Sequence, residues 1–289
     1  MSLSLGLLAV STAGPFLVMA HVDAYALVLF RLACAGLLLL GWSAARGELA
    51  SARPHLRRLA WGALLLAAHF ALWVKAFDLT DYASNLLLLV AQPAMAAVVG
   101  FWIGERPGRD VWISLALAAS GLAIIAGGDL RLGPAALLGD LLCILAGLAI
   151  TLFIPVTRRS RAEMPLTAFL GIVFTFGAVL VAPVVLLAGD RVLDYPPASW
   201  AWVAALVLVP TILGHGLMNH AARHVKLFTL NLVIVLEPAI GIALGAFLFG
   251  ATVTPLQLGG GVLLAAAVVV GLRQERAPRQ APAAGVAAS

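Results

Sequence analysis

Apolar runs of nearly uniform length, separated by short polar connections, extend from Leu3 to Leu272. A helix rises 1.5 Å per residue, so about 20 apolar residues are needed to cross a hydrocarbon layer of ~30 Å. Ten runs meet that requirement: Leu3–Ala20, Tyr25–Ala45, Leu59–Phe77, Tyr82–Ile103, Val111–Gly127, Ala135–Thr157, Leu166–Ala188, Trp200–Ala222, Phe228–Gly250 and Leu256–Leu272. The pattern predicts an all-α integral membrane protein of ten transmembrane helices. Its longest connection is Arg46–Arg58, and the segment 274–289, rich in Ala, Pro, Gln and Arg, reads as a disordered cytoplasmic tail. No Lys or Arg precedes the first run, so it is expected to stay as a helix rather than be cleaved as a signal peptide.

Charge orients the spans. With the N-terminus in the cytoplasm, fourteen of the 18 basic residues fall on the inner side. Only Arg131 and Arg191 fall outside, while Arg31 and Lys75 lie within spans. That asymmetry is the positive-inside bias, and it predicts that both termini are cytoplasmic. A missed or additional span would scramble it.

Composition agrees with a lipid environment. Hydrophobic residues make up 63% of the chain and charged residues 11%, against about 45–50% and ~25% in soluble domains. The net charge of +5 does not point to nucleic acid, because the basic residues form short clusters between apolar runs rather than one basic face. Cys34 and Cys143 are each embedded in an apolar run, so neither a disulfide nor a metal site is expected.

The chain also repeats itself. Leu86–Ala94 and Asn231–Ala239 both carry a mid-span proline preceded by an amide or acid, Gln92-Pro93 and Glu237-Pro238, with Gly100 and Gly245 seven residues on. At nearly the same offset, His69 matches His215. Residues 1–134 and 135–273 are therefore expected to be two five-helix repeats. Five is odd, so the second inserts upside down, an arrangement that in transporters places the substrate near the midplane between the halves.

Leu86–Pro107, closing on Gly104-Glu105-Arg106-Pro107, resembles the EamA-type branch of the drug/metabolite transporter superfamily. So do Phe30-Arg31-Leu32-Ala33 and Leu236-Glu237-Pro238. The second copy departs from the pattern, with Gly250-Ala251 where a closing Glu would stand. The resemblance implies a 5+5 inverted repeat around a central cavity lined by spans 1–4 and 6–9. It also implies export of metabolites, with bacterial exporters of aromatic and other neutral amino acids the most similar group.

Several residues are candidates for that cavity. Prolines at Pro15, Pro93, Pro210 and Pro238 lack a backbone donor and are expected to kink their helices. Glu237 is the carboxylate nearest the middle of a span, where a charge is expensive. It could bind a substrate amino group, carry a proton, or brace a neighbouring helix as a neutral acid. Arg31 could bind a carboxylate or cap carbonyls, and Lys75 could do the former or snorkel to water. His69 and His215, related by the repeat, are expected to approach one another at mid-depth. Asn85, Asn219, one turn from His215, and Asn231 complete the substrate-binding candidates, with Asn231 favoured over Glu237 for direct contact. Small residues at Ala96/Gly100 and Gly241/Gly245 suit close helix packing.

No phosphate loop of the Gly-x-x-x-x-Gly-Lys-Ser/Thr type is present, so ATP is not expected to drive flux directly. No paired catalytic constellation is evident, and neither an enzyme nor a cofactor is expected. The reading is a multi-pass secondary transporter of the bacterial inner membrane, working as a monomer by alternating access on amino acids or similar small metabolites. The alternatives are an exporter of other specificity and a channel-like facilitator.

Overall fold

The computed structural model describes residues 1–79, 91–105, 107–126, 133–249 and 253–273, and among these every regular element is helical. In chain order they are α1 (Ser2–Val10), α2 (Ala13–Ala20), α3 (Ala24–Ala45), a 3₁₀ helix (Glu48–His55), α4 (Leu56–Leu79), α5 (Ala91–Trp102), α6 (Arg109–Ala126) and α7 (Pro134–Glu163). There follow α8 (Leu166–Ala188), α9 (Pro197–Leu206), a π-helix (Val207–His215), α10 (Gly216–Ala221), α11 (Leu227–Ile234), α12 (Glu237–Phe249) and α13 (Pro255–Gly271). Among the described residues, seven helical stretches are long and apolar enough to cross a membrane, and α13 is a shorter apolar helix. The outward surface is itself apolar: Leu187 is 89% exposed, Phe247 86% and Trp42 59%. Hydrocarbon is the solvent in which such a surface carries no penalty.

Three departures from the sequence pattern have local causes. The first apolar run is two helices, broken at Ser11–Thr12, because Pro15 cannot donate to the Ser11 carbonyl and crowds it. The connection after Arg46 is not an open loop. It winds as the 3₁₀ helix, and Glu48 ties it down by accepting from Ser43 Oγ (3.1 Å), Arg46 Nε (3.0 Å) and Thr167 Oγ1 (2.6 Å). The helix expected to end at Thr157 runs on to Glu163, its last turns carrying Arg158, Arg159 and Arg161, whose positive charge suits a helix C-terminus.

The helices pair antiparallel at close range, and glycines permit it. A Cβ on Gly36 would lie 2.6 Å from the Thr175 backbone nitrogen, and one on Gly171 2.7 Å from that of Leu40, so α3 and α8 meet backbone to backbone. Gly121 approaches the Gly260 carbonyl in the same way where α6 crosses α13, and Ser114 Oγ donates to the Ala267 carbonyl (2.6 Å) beside it. The π-helix packs on α1, Gly214 against Val10. α4 packs on α7, where Gly62 faces Val156. Lipid supplies no hydrophobic drive between helices, so close van der Waals packing of this kind holds them. Phe70, Phe153, Phe169 and Phe174 fill the core beside these crossings and are fully buried.

Polar groups tie the two ends of the bundle. At one end, Asp190 Oδ2 accepts from the backbone N–H of Tyr25 (2.7 Å) and Ala26 (3.0 Å), capping α3. There Asp23 pairs with Arg191, whose guanidinium holds the Asp23 carboxyl below the usual carboxylate range. At the other end, Glu105 binds Arg158 Nη1 (2.6 Å) and accepts from the Leu227 backbone N–H (2.6 Å) at the start of α11. Arg158 also donates to the carbonyls of Ala222 and Val225. Glu105 thus joins the end of α5 to α7 and α11.

If the α3–α8 crossing is a principal contact, Gly171→Leu should destabilise the protein by about 1–3 kcal/mol, the usual range for overpacking. Thermal unfolding in detergent should show this as a fall of several degrees. An unchanged melting temperature would mean that the crossing can separate freely.

Candidate functional site

A cavity of ≈ 80 Å³ opens between α1, α3, α4, α7 and the interrupted helices near residues 215 and 237. Its polar wall is formed by Arg31, His69, Gln92, His215, Asn219 and Glu237. Its apolar wall includes the rings of Phe70, Trp73 and Phe153.

How these groups come together follows from the backbone. Pro210 has no N–H, so the Leu206 carbonyl, four residues back, loses its helical donor. The helix widens to a π-turn here, and Thr211 Oγ1 donates to the Leu206 carbonyl (2.7 Å). The same hydroxyl oxygen accepts from Arg31 Nε (2.6 Å). The Arg31 guanidinium also lies 4.1 Å from the centre of the Phe70 ring, close enough for a cation–π contact. A proline on one helix therefore ends up positioning a buried cation on another, in the cavity wall.

A parallel interruption presents the acid. α11 stops at Ile234, and the next two residues close tighter turns, Val235 N–H to the Leu232 carbonyl (3.0 Å) and Leu236 N–H to that of Val233 (3.1 Å). α12 then restarts at Glu237, one residue before Pro238. Glu237 lines the cavity together with Arg31, yet no direct ion pair joins the two. A guanidinium and a carboxyl group thus line one cavity without an ion pair between them.

The two histidines share this space with Phe70 between them, its ring centre 5.2 Å from that of His69 and 5.1 Å from that of His215. His69 Nδ1 lies 3.0 Å from the Ala146 carbonyl oxygen. A carbonyl can only accept, so Nδ1 carries the hydrogen and the Nε2 of a neutral ring is left as an acceptor. The ring stacks on Trp73. Asn219 is held by two bonds, accepting from Thr157 Oγ1 (2.9 Å) and donating to the His215 carbonyl (2.7 Å).

The other sequence candidates lie elsewhere. Asn231 is fully buried away from the cavity wall, accepting from Thr151 Oγ1 (3.3 Å) and donating to the Leu227 carbonyl (2.9 Å). Its carboxamide ties α11 to α7, and Glu237 rather than Asn231 reaches the cavity. Lys75 is partly exposed and pairs with Asp78 (2.9 Å) outside the cavity. Asn85 lies outside the described residues. Pro93 lies on α5, directly after the cavity residue Gln92, and Pro15 in the first turn of α2, beside the cavity residue Ala13. Cys34 and Cys143 are both free thiols. Among the described residues, no group of three or more His, Cys, Asp or Glu could hold a metal ion.

Phe70, Phe153 and Gln92 are among the cavity residues that are not substrate-contact candidates in the sequence, where Arg31 stays open between a binding and a structural role. Gln92 was visible as the amide before a repeated proline. Phe70, next to His69, gave no signal of its own, since an apolar residue in an apolar span looks like any other.

Replacing Thr211 by Val should leave Arg31 Nε buried without an acceptor, at about 1–3 kcal/mol for an unsatisfied donor. Lower thermal stability together with weakened ligand binding is the expected result. If Thr211→Val matches the parent in both, Arg31 is positioned by other means.

The comparisons with known proteins agree with this architecture. Over 206 residues the chain is 27% identical to a protein of Archaeoglobus fulgidus described as an uncharacterized transporter, covering 71% of this chain and 72% of that one. A crystal structure superposes with a TM-score of 0.82 at 17% identity, covering 95% of this chain and 96% of the other, and shows that the two share a fold. Residues 137–273 match the EamA-like transporter family, a likeness that falls on the second half of the chain.

Proposed function

We propose that this protein is a secondary transporter that exports amino acids, aromatic and other neutral ones, across a bacterial inner membrane by alternating access. The observation that carries the reading is the cavity in which Arg31 and Glu237 stand apart, among aromatic rings, inside an apolar bundle. A neutral amino acid has a carboxylate for Arg31, an ammonium for Glu237 and the free His69 Nε2, and a side chain for Phe70, Trp73 and Phe153. Charge pairs in such a water-poor site are strong when matched and costly when one partner is missing, which favours zwitterions over singly charged molecules.

The architecture proposed for this work is ten spanning helices in two inverted repeats, with both termini cytoplasmic. The pairing of helices supports it. Counting α1 with α2, and α9 with the π-helix and α10, as single spans, the first span packs on the eighth and the third on the sixth. The second packs on the seventh and the fifth on the tenth. Exchanging each span with the one five places on leaves this scheme unchanged, as a two-fold axis in the membrane plane requires. Within it, the Glu105–Arg158 cluster and the Asp23–Arg191 cluster close opposite ends of the bundle, and each in turn would open to admit or release substrate.

The test is flux of a radiolabelled amino-acid panel into liposomes holding the purified protein, with and without a pH gradient. Saturable uptake of neutral amino acids is expected. It should fall at least about tenfold in Glu237→Gln and His69→Ala, since each removes a group that a bound zwitterion contacts. Flux that rises linearly with concentration would identify a channel-like facilitator. Saturable flux confined to other compounds would identify an exporter of different specificity.

A further inference from the structure

Away from the central cavity, a groove of ≈ 530 Å³ lies at the basic end of the bundle, between the 3₁₀ helix with the start of α4 and the last turns of α7. One side is cationic: Arg57, Arg58 and Arg159 line it, with His55 beside them. The other side is apolar and includes Trp61, Pro155 and Val156. Trp61 is 57% exposed, and Leu56, close by on α4, is 52% exposed. The groove therefore spans the step from charged to hydrocarbon surroundings, with its aromatic residue at the level where Trp commonly anchors a protein at the interface.

The internal charges do not balance. Glu163 takes both Arg58 and His55. Among the described residues no acid pairs with Arg57 or Arg159, and Arg58 Nε is buried without a partner. A ligand for this groove must bring negative charge and hydrogen-bond acceptors to the arginines and lay an apolar portion over Trp61 and Val156. Arginine forks match phosphate oxygens in geometry and charge. Among the described residues the acid beside the groove is Glu163, which is already engaged and so is not free to receive the ammonium of a zwitterionic headgroup.

We propose that this groove is a binding site for an anionic phospholipid, with its phosphate among Arg57, Arg58 and Arg159 and an acyl chain along Trp61 and Val156. Basic pockets between spanning helices on the cytoplasmic side suit such headgroups, and the positive-inside bias puts this end of the bundle in that leaflet. The lipid bridges α4 and α7. Eleven residues on from Arg58, α4 carries His69, and α7 supplies both its hydrogen-bond partner Ala146 and the cavity residues Ile150, Phe153 and Ile154. Occupancy therefore stabilises the helix pair that forms one wall of the central cavity, whatever that cavity transports.

The test is binding and thermal stability of the purified protein in detergent, titrated in turn with phosphatidylglycerol, phosphatidylcholine of the same acyl chains, and inorganic phosphate. Phosphatidylglycerol should bind as a retained adduct in native mass spectrometry and raise the melting temperature, while the other two do neither. The double variant Arg57→Ala with Arg159→Ala spares the Arg58–Glu163 pair and should unfold like the parent without lipid. It should bind phosphatidylglycerol at least about tenfold more weakly. Equal effects of the two lipids, an undiminished response in the double variant, or a full response to inorganic phosphate alone would each overturn the proposal. If the double variant is itself unstable, Trp61→Ala replaces it, and unchanged phosphatidylglycerol binding there counts against the site.

Discussion

A backbone carbonyl that loses its helical donor inside hydrocarbon must find another, and three prolines impose that demand on the helices around the cavity. Pro15 deprives the Ser11 carbonyl, Pro210 that of Leu206, and Pro238 that of Ile234. Each loss coincides with a break or widening of the helix, at Ser11–Thr12, over Val207–His215 and between Ile234 and Glu237. The cavity forms where these irregular segments face one another. Regular helices packed on glycine surround it and hold it in place.

The Leu206 carbonyl shows how a backbone defect becomes a binding group. Thr211 satisfies it and, with the same hydroxyl, accepts from Arg31. Phe70 covers the guanidinium and lies between the two histidines. A buried polar group is costly unless it is bonded, and Arg31 is held at one donor, Nε, by Thr211 and over its face by Phe70. The short turn before Pro238 does the corresponding work for Glu237.

Much of this was legible in the sequence, because periodicity and repetition are physical signals. Apolar run length marked the helices, and the matched positions of His69 and His215 led to one cavity. Orientation about a helix axis was harder to read. Asn231 and Glu237 are six residues apart and so point in different directions on a straight helix, but only the turn at Val235–Leu236 determines which of them reaches the cavity. Arg31 stays open in the sequence between binding a carboxylate and capping carbonyls, because the residue that holds it, Thr211, is 180 positions away. The 3₁₀ helix is tied down in part by Thr167, which is 119 positions from Glu48. Long-range partners of this kind leave no trace in a local pattern.

The central claim is that two separated opposite charges select a zwitterion. Equilibrium binding to the purified protein of a neutral amino acid, its methyl ester and its N-acetyl derivative tests this most directly. The ester cannot satisfy Arg31 as a carboxylate and the acetylated form cannot satisfy Glu237 as an ammonium, so only the free amino acid should bind well, with each derivative at least about tenfold weaker. Equal affinity for all three would contradict the account and leave the cavity recognising side chains alone.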